Sequence, residues 1–266
     1  MKLTFAGVGS AFTDDRYYQT MFLLEADSGK RILIDCGSDA RLALKNFGIE
    51  NHNVGEHIDA VYVSHLHADH IGGLEWLGFC TYFNPNSPRP KLFMVSELMT
   101  EAWNETLRGG MKSVQKKDCT MSDYFDCHRV SDGGAFVWEG IKFQTIQTIH
   151  IVSGFSFRNS YGLMIEHPTR MKPSAADGPY QIFITTDTQY APNQLNDYYD
   201  DADLIIHDCE TAPYESGVHA SYNDLKQLPE HTKKKIWLTH YQPDPTQSAV
   251  DDGFLGFAQR GQVIDL

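Results

Sequence analysis

Cysteine is scarce in this chain, and basic residues are outnumbered. Five cysteines stand in 266 residues, an odd count with no C-x-x-C pair. Neither a disulfide framework nor a cysteine-rich zinc module fits, and a reduced, cytoplasmic setting is expected. Lys and Arg total 22 against 35 Asp and Glu, a net charge of −13. The one dense basic run is Lys233-Lys234-Lys235. A surface of that sign repels a long polyanion, so no extended track for DNA or RNA is expected. No apolar run reaches the ~18–20 residues that cross a bilayer. The opening MKLTFAGVGS lacks an apolar targeting core and a cleavage site, so neither a membrane nor secretion is expected. Repeats are absent too. Against these absences stand 12 histidines and a 41% hydrophobic content, enough for a sizeable core.

Short apolar segments separated by Gly-bearing turns predict strands at Leu3 to Gly7, Met21 to Glu25, Arg31 to Asp35, Asp59 to Val63 and Lys91 to Val95. Ser38 is expected to cap a helix from Asp39 to Phe47, and a second helix is expected around Gly73 to Phe79. Strands resume at Ala135 to Trp138 and Ile141 to Ile149, with a hairpin turn at Glu139-Gly140. They continue at Tyr161 to Glu166, Gln181 to Thr185, Asp203 to His207 and Lys235 to Thr239. Helices at Pro192 to Tyr199 and Tyr222 to Leu228 fall between them, and Pro168 to Pro179 reads as a loop. Residues 97–127 are polar after an initial helix and are expected to leave the core, as a lid, an oligomer contact or a solvated loop. The pattern predicts one α/β domain over 1–266, built as a layered sandwich.

Ser64-His65-Leu66-His67-Ala68-Asp69-His70 packs four potential metal ligands into six residues, after the apolar Val61-Tyr62-Val63 and before Gly72-Gly73. Imidazole and carboxylate are zinc ligands. In H-x-H-x-D-H the alternating histidines share a face of the strand end, and the turn carries Asp69 and His70 to a second position nearby. Two metals ~3.5–4 Å apart are expected. Completing them needs two more histidines and a bridging carboxylate, and His150, Asp187 and His240 each end a predicted strand. Two further pieces stand out, His207-Asp208-Cys209-Glu210 and His219-Ala220-Ser221. A metal-free His219 held by Asp208 suits a general acid, with Glu210 a weaker competitor for the orienting role and Ser221 a helix cap.

These motifs resemble the metallo-β-lactamase-fold hydrolases, and within them the RNase Z-like phosphodiesterase branch. Gly7-Val8-Gly9-Ser10 resembles its opening G-x-G-S, and Ile34-Asp35-Cys36-Gly37 its D-C-G. Ser64 to His70 resembles its metal motif. His207-Asp208-Cys209-Glu210 stands where the branch has H-E-A-T, so Asp208 replaces a Glu, and His219-Ala220-Ser221 stands where it has H-S-T. The long arm with which RNase Z grips tRNA is missing between His150 and Asp187, where only Pro168 to Pro179 could stand in. What remains is most similar to the anti-Pycsar cyclic-nucleotide phosphodiesterases.

The resemblance implies an αββα sandwich with two Zn²⁺, or Mn²⁺, held by His65, His67 and His150 on one side, Asp69, His70 and His240 on the other, and Asp187 between. It implies hydrolysis of a small cyclic nucleotide, with Asp69, His219 and Asp208 as catalytic residues, and a homodimer. The alternatives in the same branch are a ribosyl 1,2-cyclic phosphodiesterase and an RNA 3′-processing nuclease. For the base, Tyr17, Tyr18, Phe155, Phe157 and Tyr161 are candidates to stack, although packing within the sheet is the commoner fate of such rings. Arg158 is a candidate phosphate contact.

Overall fold

A computed structural model describes residues 1–172 and 178–266. Its contacts divide the chain into two compact units. The first comprises Met1–Gly7, Tyr18–Asp132 and Arg260–Leu266, and the second Val8–Tyr17 and Gly133–Gln259.

The first unit is built on a seven-stranded sheet in the spatial order Val263–Asp265, Lys2–Gly7, Met21–Glu25, Arg31–Ile34, Ala60–Tyr62, Lys91–Val95, Asp126–Val130. Its first four strands run antiparallel, and from Arg31–Ile34 onward neighbours are parallel. The central strands are nearly continuous runs of buried Leu, Ile, Val and Phe, as strands covered on both faces require. Helices Ala40–Lys45 and Leu74–Tyr82 belong to this unit. Ser38 does not cap the first of them. Asp39 occupies the cap position without a side-chain bond, and Ser38 Oγ donates instead to the carbonyl of Ala68. Residues 96–124 are not a solvated loop. They form helix Ser96–Glu101, a π-helical stretch Ala102–Leu107, a turn of helix Arg108–Met111, a hairpin pairing Ser113–Val114 with Lys117–Asp118, and the helical turn Met121–Tyr124. Leu98, Met99, Ala102, Leu107, Met111 and Tyr124 are buried, which anchors the excursion.

The second unit carries another seven-stranded sheet in the order Gly256–Phe257, Ile236–Thr239, Leu204–Asp208, Pro179–Ile184, Ser156–Met171, Ile141–Ser153, Ala135–Trp138. Pairing is parallel from Gly256–Phe257 to Pro179–Ile184 and antiparallel beyond. Helix Pro192–Asp201 starts with proline at its first turn and buries Leu195 and Tyr199 against Phe183 and Ile205. Glu139 and Gly140 both take positive φ, 49° and 78°, as the predicted hairpin turn demands.

Two strands outrun their expected ends. Ile141–Ser153 and Ser156–Met171 form a long hairpin. The expected loop at Pro168 to Pro179 is therefore displaced: Pro168 to Met171 are strand, Pro179 opens the next strand, and residues 173–177 lie outside the described residues. Pro168 is tolerated because the ladder slips register between Glu166 and Met171. There His167 Nδ1 accepts the amides of Thr169 and Arg170 at 3.2 and 2.9 Å. Among the described residues, no helix is long and apolar enough to cross a membrane.

Candidate metal centre

In the first unit, the apolar strand Ala60–Tyr62 delivers Ser64 and His65 at its end, and the single helical turn Ala68–Ile71 carries Asp69 and His70. His67 stands at the cap of that turn with extended backbone, φ −66° and ψ 147°. Nε2 of His65 and Nδ1 of His67 lie 3.1 Å apart. Nε2 of His70 lies 3.3 Å from Asp69 Oδ2. His65, Asp69 and His70 are buried and His67 is exposed.

Asp35 ties these side chains together from below. It accepts the Ser64 amide at 2.8 Å on Oδ1, and the Ser64 hydroxyl at 2.8 Å and His70 Nδ1–H at 2.7 Å on Oδ2. Ser64 Oγ in turn lies 3.0 Å from His65 Nδ1. Both imidazoles thus have Nδ1 engaged and Nε2 directed elsewhere, the tautomer arrangement that metal-ligating histidines show. The D-C-G motif explains itself here. The amides of Cys36 and Ser38 bond the carbonyls of His70 and Ala68 at 2.8 and 3.0 Å. That approach is so close that a Cβ on Gly37 would sit 2.1 Å from the carbonyl oxygen of Asp69.

In the second unit, Asp187 lies at the centre. Its Oδ2 is 3.6 Å from His150 Nε2 and its Oδ1 is 3.5 Å from His240 Nε2, with all three side chains buried. One carboxylate thus presents a different oxygen to each of two imidazoles. Of the other nitrogens, His150 Nδ1 donates to the carbonyl of Val218 at 2.8 Å, and His240 Nδ1 lies 3.4 Å from Asp208 Oδ1. His150 reaches inward through a bulge, since the hairpin register slips by one residue between Ile149 and Ile151. Thr186, just before Asp187, and His240 take left-handed backbone, φ 53° and 62°. Each costs on the order of 1–3 kcal/mol, and such residues cluster at functional sites. Thr148 Oγ1 braces the Asp187 carbonyl at 3.0 Å. Asp187, Asp208, His219 and His240 each offer a ligand atom, all within 4.8 Å of one another.

His219 Nδ1 donates to Asp208 Oδ2 at 2.8 Å, and the same oxygen accepts the amide of Thr188 at 2.9 Å. Burial opposes the charge on Asp208, yet His219 and His240 beside it hold its carboxyl at about 2. Burial also opposes the charge on His219, but the Asp208 carboxylate raises its pKa above the ordinary value. Burial lowers that of His150 and keeps the imidazole neutral, the form that coordinates metal. Glu210 drops out of the orienting role. Its Oε2 accepts the Ser216 amide at 2.8 Å, and so it shapes the 211–217 loop. His207 is a core residue, its ring held between the Tyr199 hydroxyl and the Asp208 carbonyl at 2.7 Å each. Ser221 caps its helix as expected, accepting the Asp224 amide at 3.1 Å.

Of the predicted residues, the first unit brings together His65, His67, Asp69 and His70, and the second His150, Asp187, Asp208, His219 and His240. Nitrogen and carboxylate-oxygen donors of this kind fit a zinc or manganese ion. Tyr161 packs inside the sheet, whereas Phe155 and Phe157 stand exposed at the hairpin tip. Sequence reasoning missed the role of Asp35, although its motif was visible, and it missed Thr148 and Thr188.

Known proteins resemble this chain over most of its length. Residues 1–264 match the family described as anti-Pycsar protein Apyc1. Proteins of that name from Bacillus phage vB_BveM-Goe7 and Paenibacillus harenae are 30% and 33% identical to this chain. The first alignment covers 100% of this chain and 98% of the relative, the second 91% and 90%. Among solved structures, the metallo-β-lactamase fold protein YhfI from Bacillus subtilis matches with a TM-score of 0.72 at 18% identity, covering 99% of this chain and 98% of that one. A diphosphatase of the PhnP family matches at 0.71 and 21%, covering 100% and 97%, and the short human tRNase Z at 0.67 and 16%, covering 100% and 99%. The chain has the metallo-β-lactamase fold, the α/β class expected from sequence.

Proposed function

This chain belongs to the anti-Pycsar protein Apyc1 family, and from that membership we propose that it is a metal-dependent phosphodiesterase opening cyclic nucleotides to nucleoside monophosphates. Cyclic CMP and cyclic UMP are the first substrates, with cyclic AMP and cyclic GMP beside them. In the cell the activity would remove the nucleotide signals of Pycsar antiviral defence from the cytoplasm, and the working form would be a homodimer. The observation that carries the reading is Asp187, whose two oxygens face His150 and His240 while His150 Nδ1 is bound to the Val218 carbonyl and His240 Nδ1 faces Asp208.

By the family motif, His65, His67 and His150 would hold one zinc, Asp69, His70 and His240 the other, and Asp187 both. Once bound, the two ions would activate a water for attack on phosphorus and neutralise the non-bridging phosphoryl oxygens. This local positive charge would admit an anion despite a net charge of −13. The chain's own residues handle the leaving group. The Nδ1–H of His219 is committed to Asp208, so Nε2 is the end that protonates the departing 3′-oxygen. The Asp208 carboxylate favours the charged imidazolium that does so. In a cyclic diester the leaving oxygen stays tethered, and a single linear monophosphate results.

The test is incubation of zinc-loaded and manganese-loaded protein with cyclic mononucleotides, a cyclic dinucleotide, a ribosyl 1,2-cyclic phosphate, a linear dinucleotide and pre-tRNA, with products separated by chromatography. Cyclic mononucleotides should yield linear monophosphates, and chelation should abolish the reaction. Preferred opening of the ribosyl phosphate, or trimming of pre-tRNA, would assign the chain to another activity of its fold.

A further inference from the structure

The segment Val8–Tyr17 follows the first strand of the chain yet lies with the second unit, against the turn that bears His240. The contact is continuous. The His240 amide donates to the Val8 carbonyl at 2.7 Å, and the Ser10 amide donates to the Tyr241 carbonyl at 3.1 Å. The Tyr17 ring meets that of Tyr241 edge to face, with centroids 5.8 Å apart. At the far end sits an arginine fork. Arg16 binds Asp244 through both terminal nitrogens, at 2.8 and 2.7 Å, and Asp14 through Nη2 at 2.7 Å and Nε at 3.1 Å. Tyr17 closes the ring: its hydroxyl donates to Asp244 Oδ1 at 3.1 Å and accepts the Asp244 amide at 3.0 Å. His240 needs such bracing, because its φ of 62° is one a side-chain-bearing residue rarely adopts.

We propose that Arg16 and Asp244 form a clasp that holds segment 8–17 against residues 240–244 and thereby positions His240 for its metal. Arg16 is a positioning residue, acting through the backbone of Val8 and Tyr241. The inference rests on the proposed reading of His240 as a ligand. The clasp is solvent-exposed, with side-chain exposures of 55% for Arg16 and 67% for Asp244. Its effect is therefore modest and screened by salt.

The experiment compares Arg16→Ala, Asp244→Asn and Arg16→Lys with the full-length protein, using Lys142→Ala as control. That control breaks another exposed ion pair of the second unit, Lys142 with Glu166. Zinc affinity is read by competition with a chromophoric chelator, and hydrogen exchange at the Ser10 and His240 amides is read on the metal-free protein. In Arg16→Ala and Asp244→Asn one zinc step, that of the His240 site, should loosen about two- to ten-fold at low salt, and less at high salt, while any other step holds. Both amides should exchange faster. Arg16→Lys, which keeps the charge without the fork, should fall between, and the control should match wild type. Unchanged exchange in both variants would overturn the clasp, as would faster exchange with unchanged zinc affinity. A wild-type protein that takes up no zinc would defeat the reading of the centre, and the exchange arm would then decide the clasp by itself.

Discussion

Replacing Asp208 by asparagine separates charge from geometry. The carboxylate oxygen Oδ2 accepts two donors, the Thr188 amide and His219 Nδ1–H. An amide oxygen in the same place can accept both, so the ring stays where it is. What disappears is the negative charge that favours imidazolium on His219. Charge-assisted hydrogen bonds are roughly twice as strong as neutral ones, so the imidazolium of His219 loses about 1–2 kcal/mol of stabilisation and less of the acid is present at neutral pH. At ~1.4 kcal/mol per factor of ten, turnover of a cyclic nucleotide should fall roughly 5- to 30-fold. The amide nitrogen would replace Oδ1, which now lies 3.4 Å from His240 Nδ1. Metal binding would weaken with it, so rates must be taken at saturating zinc. The assay runs a cyclic nucleotide beside an activated aryl phosphodiester, whose leaving group needs no proton and whose rate should fall less than about threefold. Equal slowing of both substrates, or of neither, would refute the idea that Asp208 works through His219.

Three further outcomes follow from the same geometry. His219→Ala should retain both metals by elemental analysis while cyclic-nucleotide turnover drops by roughly 10²–10⁴-fold; turnover near wild type would reject the acid. Asp187→Ala removes the carboxylate between His150 and His240, so metal content and activity should be lost together, and an active metal-free variant would contradict the ligand set. Asp35→Ala strips a buried partner from Ser64 and His70; thermal melting should show a loss of about 3–5 kcal/mol, and a transition within a degree of wild type would disprove its bracing role.

Much of this centre was legible because its chemistry is local or sits where strands stop. H-x-H-x-D-H stands out within six residues, and Asp187 and His240, which the structure brings to 3.5 Å from each other, stand out because apolar runs end just before them. Asp35 was seen as part of a motif but not understood, because its partners Ser64 and His70 lie 29 and 35 residues away. Pairwise bonds across such gaps leave no periodic trace in a sequence. Ser38 misled for a related reason: a serine before a helix reads as a cap, and only the approach of the Ala68 carbonyl diverts its hydroxyl. The strand through Pro168 was hidden because proline ordinarily marks a break, and here a register slip absorbs it. Residues 97–127 looked polar because the buried side chains that anchor them, such as Leu98, Leu107 and Tyr124, are widely spaced among exposed neighbours.

The one-residue slip beside His150 divides its hairpin into two regimes. Outboard of it, among the described residues, Ile151 to Ser153 ladder only with Ser156 to Arg158. Changes in matched pairs along that outer arm should therefore leave His150 in place, held by the strand behind it. Two exposed phenylalanines already occupy the arm. The outer arm thus hangs from the bulge, apart from the ladder that fixes His150.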